Sequence, residues 1–177
     1  MTQLYFKVVN LTATLLFCSI ATRIEAQDYL VGVRGGVSVS DPGYFRQVEA
    51  FAGRNLPWQW HTPFNLRITS RVEGSAGWLS AGSQGGFIGT LGPVIELREG
   101  KFPLTLEGGA SPTCLSKYNF HERDIGGWFE FTDHIDLDWQ VTEHLAAGVR
   151  FQHMSNASIY RRNPGLNLTM LSTNFSF

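Results

Sequence analysis

From Tyr29 to the C-terminus the chain alternates apolar with polar or small residues at every second position, and no segment carries a convincing 3.6-residue period. That pattern restricts it to strands. Tyr29, Val31, Val33, Val37 and Val39 share one row, with Gly35 among them. Residues 44–56 predict a second strand, with Val48, Ala50 and Ala52 on one face, Gln47, Glu49 and Gly53 on the other, and Leu56-Pro57-Trp58 as its close. Leu66, Ile68, Val72, Ala76 and Trp78 alternate with Arg67, Thr69, Arg71 and Glu73. Ser83-Gln-Gly-Gly predicts a turn, and Phe87 to Arg98 a strand made irregular by Pro93. Beyond a hairpin at Glu99-Gly100-Lys101, Leu104, Leu106, Gly108 and Ala110 face away from Thr105 and Glu107, and polar residues 111–124 predict a loop. Phe129, Phe131, Ile135, Leu137, Trp139 and Val141 form the next apolar row, followed by Leu145, Ala147, Val149 and Phe151, and a last strand runs from about Gly165 to Phe177.

About eight antiparallel strands are thus expected, and two architectures accommodate them. A soluble sandwich or lipocalin-like barrel turns its apolar face inward, whereas an outer-membrane barrel turns it to lipid and keeps a polar interior. The polar row holds Glu49, Arg67, Arg71, Glu73, Glu96, Arg98, Glu107, Glu130, Asp136, Asp138 and Arg150 at mid-strand positions. The opposite row, broken by Gly and Ala, is a poor filling for a soluble core, while the charges can pair inside a narrow lumen. Tyr29, Trp58, Trp60, Trp78, Trp128, Trp139 and Phe177 near strand ends fit interfacial girdles, and a terminal Phe suits recognition by outer-membrane assembly machinery. The fold class expected is therefore all-β, an eight-stranded antiparallel transmembrane β-barrel.

Other features narrow the setting. A formal net charge of −1 with scattered Lys and Arg supplies no basic stripe for nucleic acid. Residues 1–26 read as an export signal, with Lys7 before an apolar stretch from Val8 to Ala21 that is too short to span a bilayer; cleavage fits after Ala26 or after Ala21. Residues 27–177 then form the barrel domain. Removal of the signal leaves Cys114 as the only cysteine, so no intrachain disulfide is available.

One short stretch carries candidate chemistry. In Arg150-Phe-Gln-His-Met-Ser-Asn-Ala, His153 and Ser155 lie two residues apart where a strand gives way to a turn containing Asn163-Pro-Gly. Side chains at i and i+2 of a strand share a face, which sets a base beside a nucleophile. His61, His121, His134 and His144 lack metal-ligand spacing, and neither a metal nor another cofactor is expected.

His153-x-Ser155-Asn156-Ala157, a five-residue turn and Asn163-Pro164-Gly165 resemble the PagL-type lipid A 3-O-deacylases, outer-membrane esterases of Gram-negative bacteria; Arg46, Glu49 and Leu56-Pro57-Trp58 also fit. The resemblance implies an enzyme that removes the 3-O-linked hydroxyacyl chain from lipid A, with His153 as general base and Ser155 as nucleophile. It assigns Asn156 and Asn163 to the oxyanion or substrate. The family's acidic residue, two positions after the turn glycine, falls on Asn167, so this chain departs from the pattern; an amide carbonyl can still orient an imidazole. Parity adds an independent argument. His153 and Ser155 extend the row of Leu145, Ala147, Val149 and Phe151, and Asn167 shares parity with Leu171 and Phe175, so all three candidates emerge on the lipid side. Expected partners are lipid A or lipopolysaccharide of the outer leaflet and the bacterial outer membrane itself, with a homodimer as a further option. The alternative is a small non-enzymatic barrel serving structure or adhesion.

Overall fold

The computed structural model describes residues 28–39, 44–100, 102–121 and 123–177; the expected export signal lies outside them. Among the described residues ten strands occur in chain order: β1 (Tyr29–Ser38), β2 (Phe45–His61), β3 (Leu66–Ala81), β4 (Gln84–Glu99), β5 (Leu104–Leu115), β6 (Asn119–Phe120), β7 (Arg123–Asp124), β8 (Phe129–Gln140), β9 (Leu145–Ser155) and β10 (Leu166–Ser176). Eight of them close an antiparallel barrel in the order β1-β10-β9-β8-β5-β4-β3-β2, and β6 and β7 form a separate two-stranded hairpin. Closure joins the first strand to the last, from Leu30 opposite Ser176 to Ser38 opposite Leu168. No sheet edge of the barrel is left unpaired.

The two faces are inverted relative to a soluble protein. Val33, Val48, Leu91, Ile95, Ile135, Val149, Phe151 and Leu171 point outward and are exposed, Leu171 at 69%. Arg34, Glu49, Arg71, Glu73, Glu107, Asp136 and Arg150 point inward and are buried. An apolar belt of this extent requires lipid around it, and closed strands satisfy the backbone within that lipid. Trp58, Trp60, Trp139, Phe102 and Phe175 stand toward the end that holds the termini and the β2–β3, β4–β5 and β8–β9 connections; Trp78, Phe87 and Trp128 stand toward the other.

Inside, Glu73 on β3 is the junction of the charges. Its carboxylate accepts from Arg34 at 2.7 Å, Arg71 at 2.9 Å and Arg150 at 3.3 Å. Arg34 also pairs with Glu49, Arg71 with Glu107 and with Glu96 at 3.2 Å, and Arg150 with Asp136 at 2.7 Å. Below this layer, toward the termini, a cavity of about 440 Å³ is lined by Arg67, Arg98, Glu96 and Asp138 among others. Above it the lumen is closed by Phe45, Leu79, Ile88, Leu115, Phe120, Ile125, Met154, Leu166, Leu168 and Met170. The interior is therefore ionic at mid-height and apolar beneath the longer loops.

Several boundaries differ from the sequence expectation. β2 continues past Leu56-Pro57-Trp58 to His61, because a bulge absorbs the proline. Asn55 faces Arg71, so unbroken pairing would set Gln59 opposite Arg67, yet Gln59 faces Thr69. The two extra residues on β2 place Pro57 where no ladder N–H is needed. The turn before β4 is Gly82-Ser83, and Gln84 to Gly86 already belong to the strand. β5 extends through Pro112 to Leu115, and the expected loop 111–124 shrinks to a connection that contains the β6–β7 hairpin. Pro93 and Pro112 fall in one gap of the β4–β5 ladder, between Thr90–Thr113 and Val94–Gly109, whose register is unchanged across it.

Replacing Glu73 by Ala leaves three buried arginines short of an acceptor. Breaking one partner of a buried pair costs about 3–5 kcal/mol. The expected outcome is a barrel that folds but unfolds at distinctly lower urea concentration in detergent, followed by the loss of heat-modifiable electrophoretic migration.

Candidate active site

The longer connections gather at the end opposite the termini, and the His-x-Ser segment lies there at the end of β9. Register places His153 opposite Asn167 on β10 and opposite Asp133 on β8. His153, Ser155, Asn167 and Asp133 all belong to outward rows. His153 Nδ1 lies 2.7 Å from Asn167 Oδ1. A carboxamide oxygen can only accept, so the ring proton on that edge is on Nδ1 and Nε2 is left as a lone-pair acceptor. Ser155, two residues along the same face and half-buried, stands across from Phe131. Sequence-predicted His153, Ser155 and Asn167 are thus brought to one outer patch.

The imidazole also needs Gly165. That residue has φ +68°, and a Cβ on it would lie 2.8 Å from His153 Cε1. Glycine meets both demands, the left-handed backbone and the close approach of the ring.

Asn156 and Asn163, expected at the oxyanion or substrate, both lie in the turn that follows β9. Asn156 is fully buried, and its Nδ2 donates to the Arg162 carbonyl at 2.7 Å. Its backbone N–H donates to Asn163 Oδ1 at 3.0 Å. The two residues therefore clasp the 156–165 turn; the second Nδ2 proton of Asn156 is buried on the side of Glu130, and Asn163 keeps its Nδ2. Ala157 and Ser158 follow in left-handed conformation, φ 49° and 68°, and the Asn156 carbonyl accepts from Ile159 N–H at 2.9 Å. Successive N–H groups in such conformations make a concave donor site. The turn is packed on the β7–β8 connection, where a Cβ on Gly127 would lie 2.0 Å from the Tyr160 ring. Arg162 is 3.8 Å from Asp124, a solvent-exposed contact of little energetic weight.

Two acidic residues beside the site are not among the site residues expected from sequence, although Glu130 is in the expected inward row. Glu130 points inward beneath Asn156 and is 1% exposed; neither of its oxygens makes a well-formed hydrogen bond, although the Gly127 amide and the Asn156 carboxamide are its polar neighbours. Asp133 interrupts the outward row between Phe131 and Ile135. A carboxylate in an otherwise apolar row is a signal visible in sequence; its position level with His153 is not. The other histidines stand apart: His61 at the end of β2, His121 in the β6–β7 hairpin, His134 inside the barrel, and His144 in a turn with Nδ1 2.9 Å from the Ser176 carbonyl.

A family model described as lipid A 3-O-deacylase (PagL) matches residues 46–176, from the start of β2 through β10. The chain belongs to this family. A curated relative, lipid A deacylase PagL of Bordetella bronchiseptica, is 38% identical over 72 residues, which are 41% of this chain and 40% of that protein's length. Among solved structures, the outer membrane enzyme PagL superimposes with a TM-score of 0.73 at 17% identity, over 84% of this chain and 99% of that one. The N-terminal β-barrel domain of Pseudomonas aeruginosa OprF follows with a TM-score of 0.55 at 13% identity, covering 86% of this chain and all of that one. At these identities the structural likeness is one of fold; family membership rests on the sequence match.

Asn156→Ala removes the donor to the Arg162 carbonyl, a loss of about 1–3 kcal/mol in the ordering of the turn. Trypsin cleavage after Arg161 or Arg162 in detergent-solubilised protein is expected to accelerate about tenfold while the barrel fragments stay associated. Unchanged cleavage would show that Asn156 does not hold the turn.

Proposed function

We propose that this protein is an outer-membrane esterase that removes the 3-O-linked hydroxyacyl chain from lipid A by a serine-histidine mechanism. The observation that carries the reading is the 2.7 Å bond between His153 Nδ1 and Asn167 Oδ1, with Ser155 on the same outward face, in a chain of the lipid A 3-O-deacylase family. Polar groups on a lipid-facing surface are costly unless they are bonded or used. A substrate whose acyl chains lie in the same membrane leaflet reaches such a patch without leaving it. Phe151, Val149 and Leu171, directly below, offer the apolar surface on which a chain can lie.

The chemistry follows from the side chains. Ser155 Oγ attacks the ester carbonyl while His153 Nε2 accepts its proton; Asn167 holds the ring in the tautomer that leaves Nε2 free. The tetrahedral oxyanion is stabilised by N–H groups of Ala157 and Ser158 or by Asn163 Nδ2, each such donor contributing about 3 kcal/mol. Collapse breaks the C–O bond to the sugar, whose oxygen takes the proton from the imidazolium. Water, deprotonated by the same nitrogen, then cleaves the acyl-serine and releases the hydroxy fatty acid. Arg161 and Arg162 on the exposed turn are suited to lipid A phosphates. Residues 1–26 as an export signal, and the strand termini on the periplasmic side, belong to the same reading.

Ser155→Ala and His153→Ala are each expected to lower the loss of one hydroxyacyl chain by at least 10³-fold, read by mass spectrometry of lipid A from expressing cells. Asn167→Ala is expected to lower it about tenfold, since it frees the ring without removing the base. Lipid A deacylated as fully by Ser155→Ala as by the wild type would refute the nucleophile and favour a non-enzymatic barrel.

A further inference from the structure

The carboxylate that the family places two residues after the turn glycine is an amide here, at Asn167, and the outward face of β8 carries a carboxylate that no structural role explains. Asp133 is the only charged residue in the outward rows of β8, β9 and β10. It makes no salt bridge or side-chain hydrogen bond among the described residues, and its neighbours along the row are Phe131 and Ile135. Across β5 it faces Ala110, and across β9 it faces His153. A direct cross-strand pair has its Cβ atoms about 5 Å apart. One imidazole is therefore flanked on the same face by an amide from β10 and a carboxylate from β8.

We propose that Asp133 supplies the negative charge that Asn167 lacks: Asn167 orients the His153 ring, and Asp133 stabilises the imidazolium that forms when Ser155 gives up its proton. The two functions that a single acidic residue combines in a triad are divided between two strands. This inference rests on the esterase reading above, with Ser155 as nucleophile.

The physical argument is one of location. An anion facing lipid beside aromatic and aliphatic side chains is retained only where it has a partner. Arg162 is turned to Asp124 on the loop side, and the outward positions of β5, from Leu104 to Cys114, hold no cation. His153 is the one group in reach whose charge changes during the reaction. Coulombic attraction at this separation is large where water is excluded by an acyl chain and small in open solvent. The effect therefore falls on the transition state more than on the free enzyme. Asp133 acts through His153 and is a positioning residue rather than one that touches the reacting atoms.

A cross-strand rescue tests this. Acyl release from purified lipopolysaccharide in detergent micelles is measured for wild type, Ser155→Ala, Asp133→Asn, Asn167→Glu and the double variant Asp133→Asn/Asn167→Glu, each checked for heat-modifiable migration. Asp133→Asn is expected to lower kcat at least tenfold with KM within twofold, and the double variant to recover kcat to within threefold of wild type. Asn167→Glu is expected to raise kcat by a clearly larger factor in the Asp133→Asn background than in the wild-type background, where the charge is already present. Wild-type kcat in Asp133→Asn, a loss confined to KM, or an equal gain from Asn167→Glu in both backgrounds would each overturn the assignment. Should Asp133→Asn fail to fold, Asp133→Ser takes its place in the same comparison. If release by wild type and Ser155→Ala is indistinguishable, the esterase reading itself fails; if release depends on Ser155 and not on Asp133, only the present inference does.

Discussion

Glu73 receives guanidinium groups from three other positions of the barrel wall, and the rest of the molecule is arranged around that junction. Arg34 brings in β1 and, through Glu49, β2; Arg71 extends it to Glu96 on β4 and Glu107 on β5; Arg150 ties in β9 and, through Asp136, β8. Taking so many charges out of water is expensive, and each is tolerable only while its partners stay in place. The network is for that reason a geometric lock. A strand that slipped by one residue would turn its charge outward to lipid and its apolar row inward. Register fixed at mid-height helps to set His153 on β9 and Asp133 on β8 level with one another at the loop end, while Asn167 on β10 takes its level from the ladder with β9.

The apolar plug above the charges has a different role. Met154, Leu166, Leu168 and Met170 lie on the inward faces of the two strands whose outward faces carry His153, Ser155 and Asn167. These two strand ends are clamped from inside by close packing while their outer faces remain free for a substrate. The turn between them is held by its own side chains, Asn156 to the Arg162 carbonyl and Asn163 to the Asn156 N–H. A polar patch facing lipid is thus supported by a dry core on one side and a clasped loop on the other. In the proposed esterase, preorganisation of this kind would keep donors aimed at a reacting oxygen without rearrangement during the reaction.

Much of this is legible in the chain. Alternation over β1, β3, β8 and β9 reveals the strands, and the charged row reveals which face is inward. The His153-x-Ser155 spacing with Asn163-Pro-Gly locates the patch and the family. Legibility fails where two signals compete at one position. Pro57 looks like a stop, yet a two-residue bulge lets β2 run on; polar residues at 111–115 look like a loop, yet pairing with β4 and β8 makes them strand. Along Leu166, Leu168 and Met170 the apolar row faces inward while Asn167 and Thr169 face outward, the reverse of the rest of the barrel wall, so alternation alone does not reveal the plug. Asn156 is expected at the oxyanion or substrate from its place after Ser155; that its side chain is buried and turned back beneath the loop is not visible in the chain.

Local periodicity and local motif chemistry depend only on residues near one another in the chain, and these the sequence determined by itself: an all-β barrel, inverted in polarity, with His153 and Ser155 sharing an outward face at the end of β9. What lies across from what depends on register between strands far apart in sequence, and only the tertiary structure decided that. It set Asn167 against His153 Nδ1, directed Asn156 inward, and brought Asp133, twenty positions earlier in the chain, to the other side of the same imidazole. The reason is physical: a β-strand's own sequence specifies which face each residue takes, whereas its height beside a neighbour is set by pairing with strands distant in the chain, which buried charges reinforce on every barrel strand but β10.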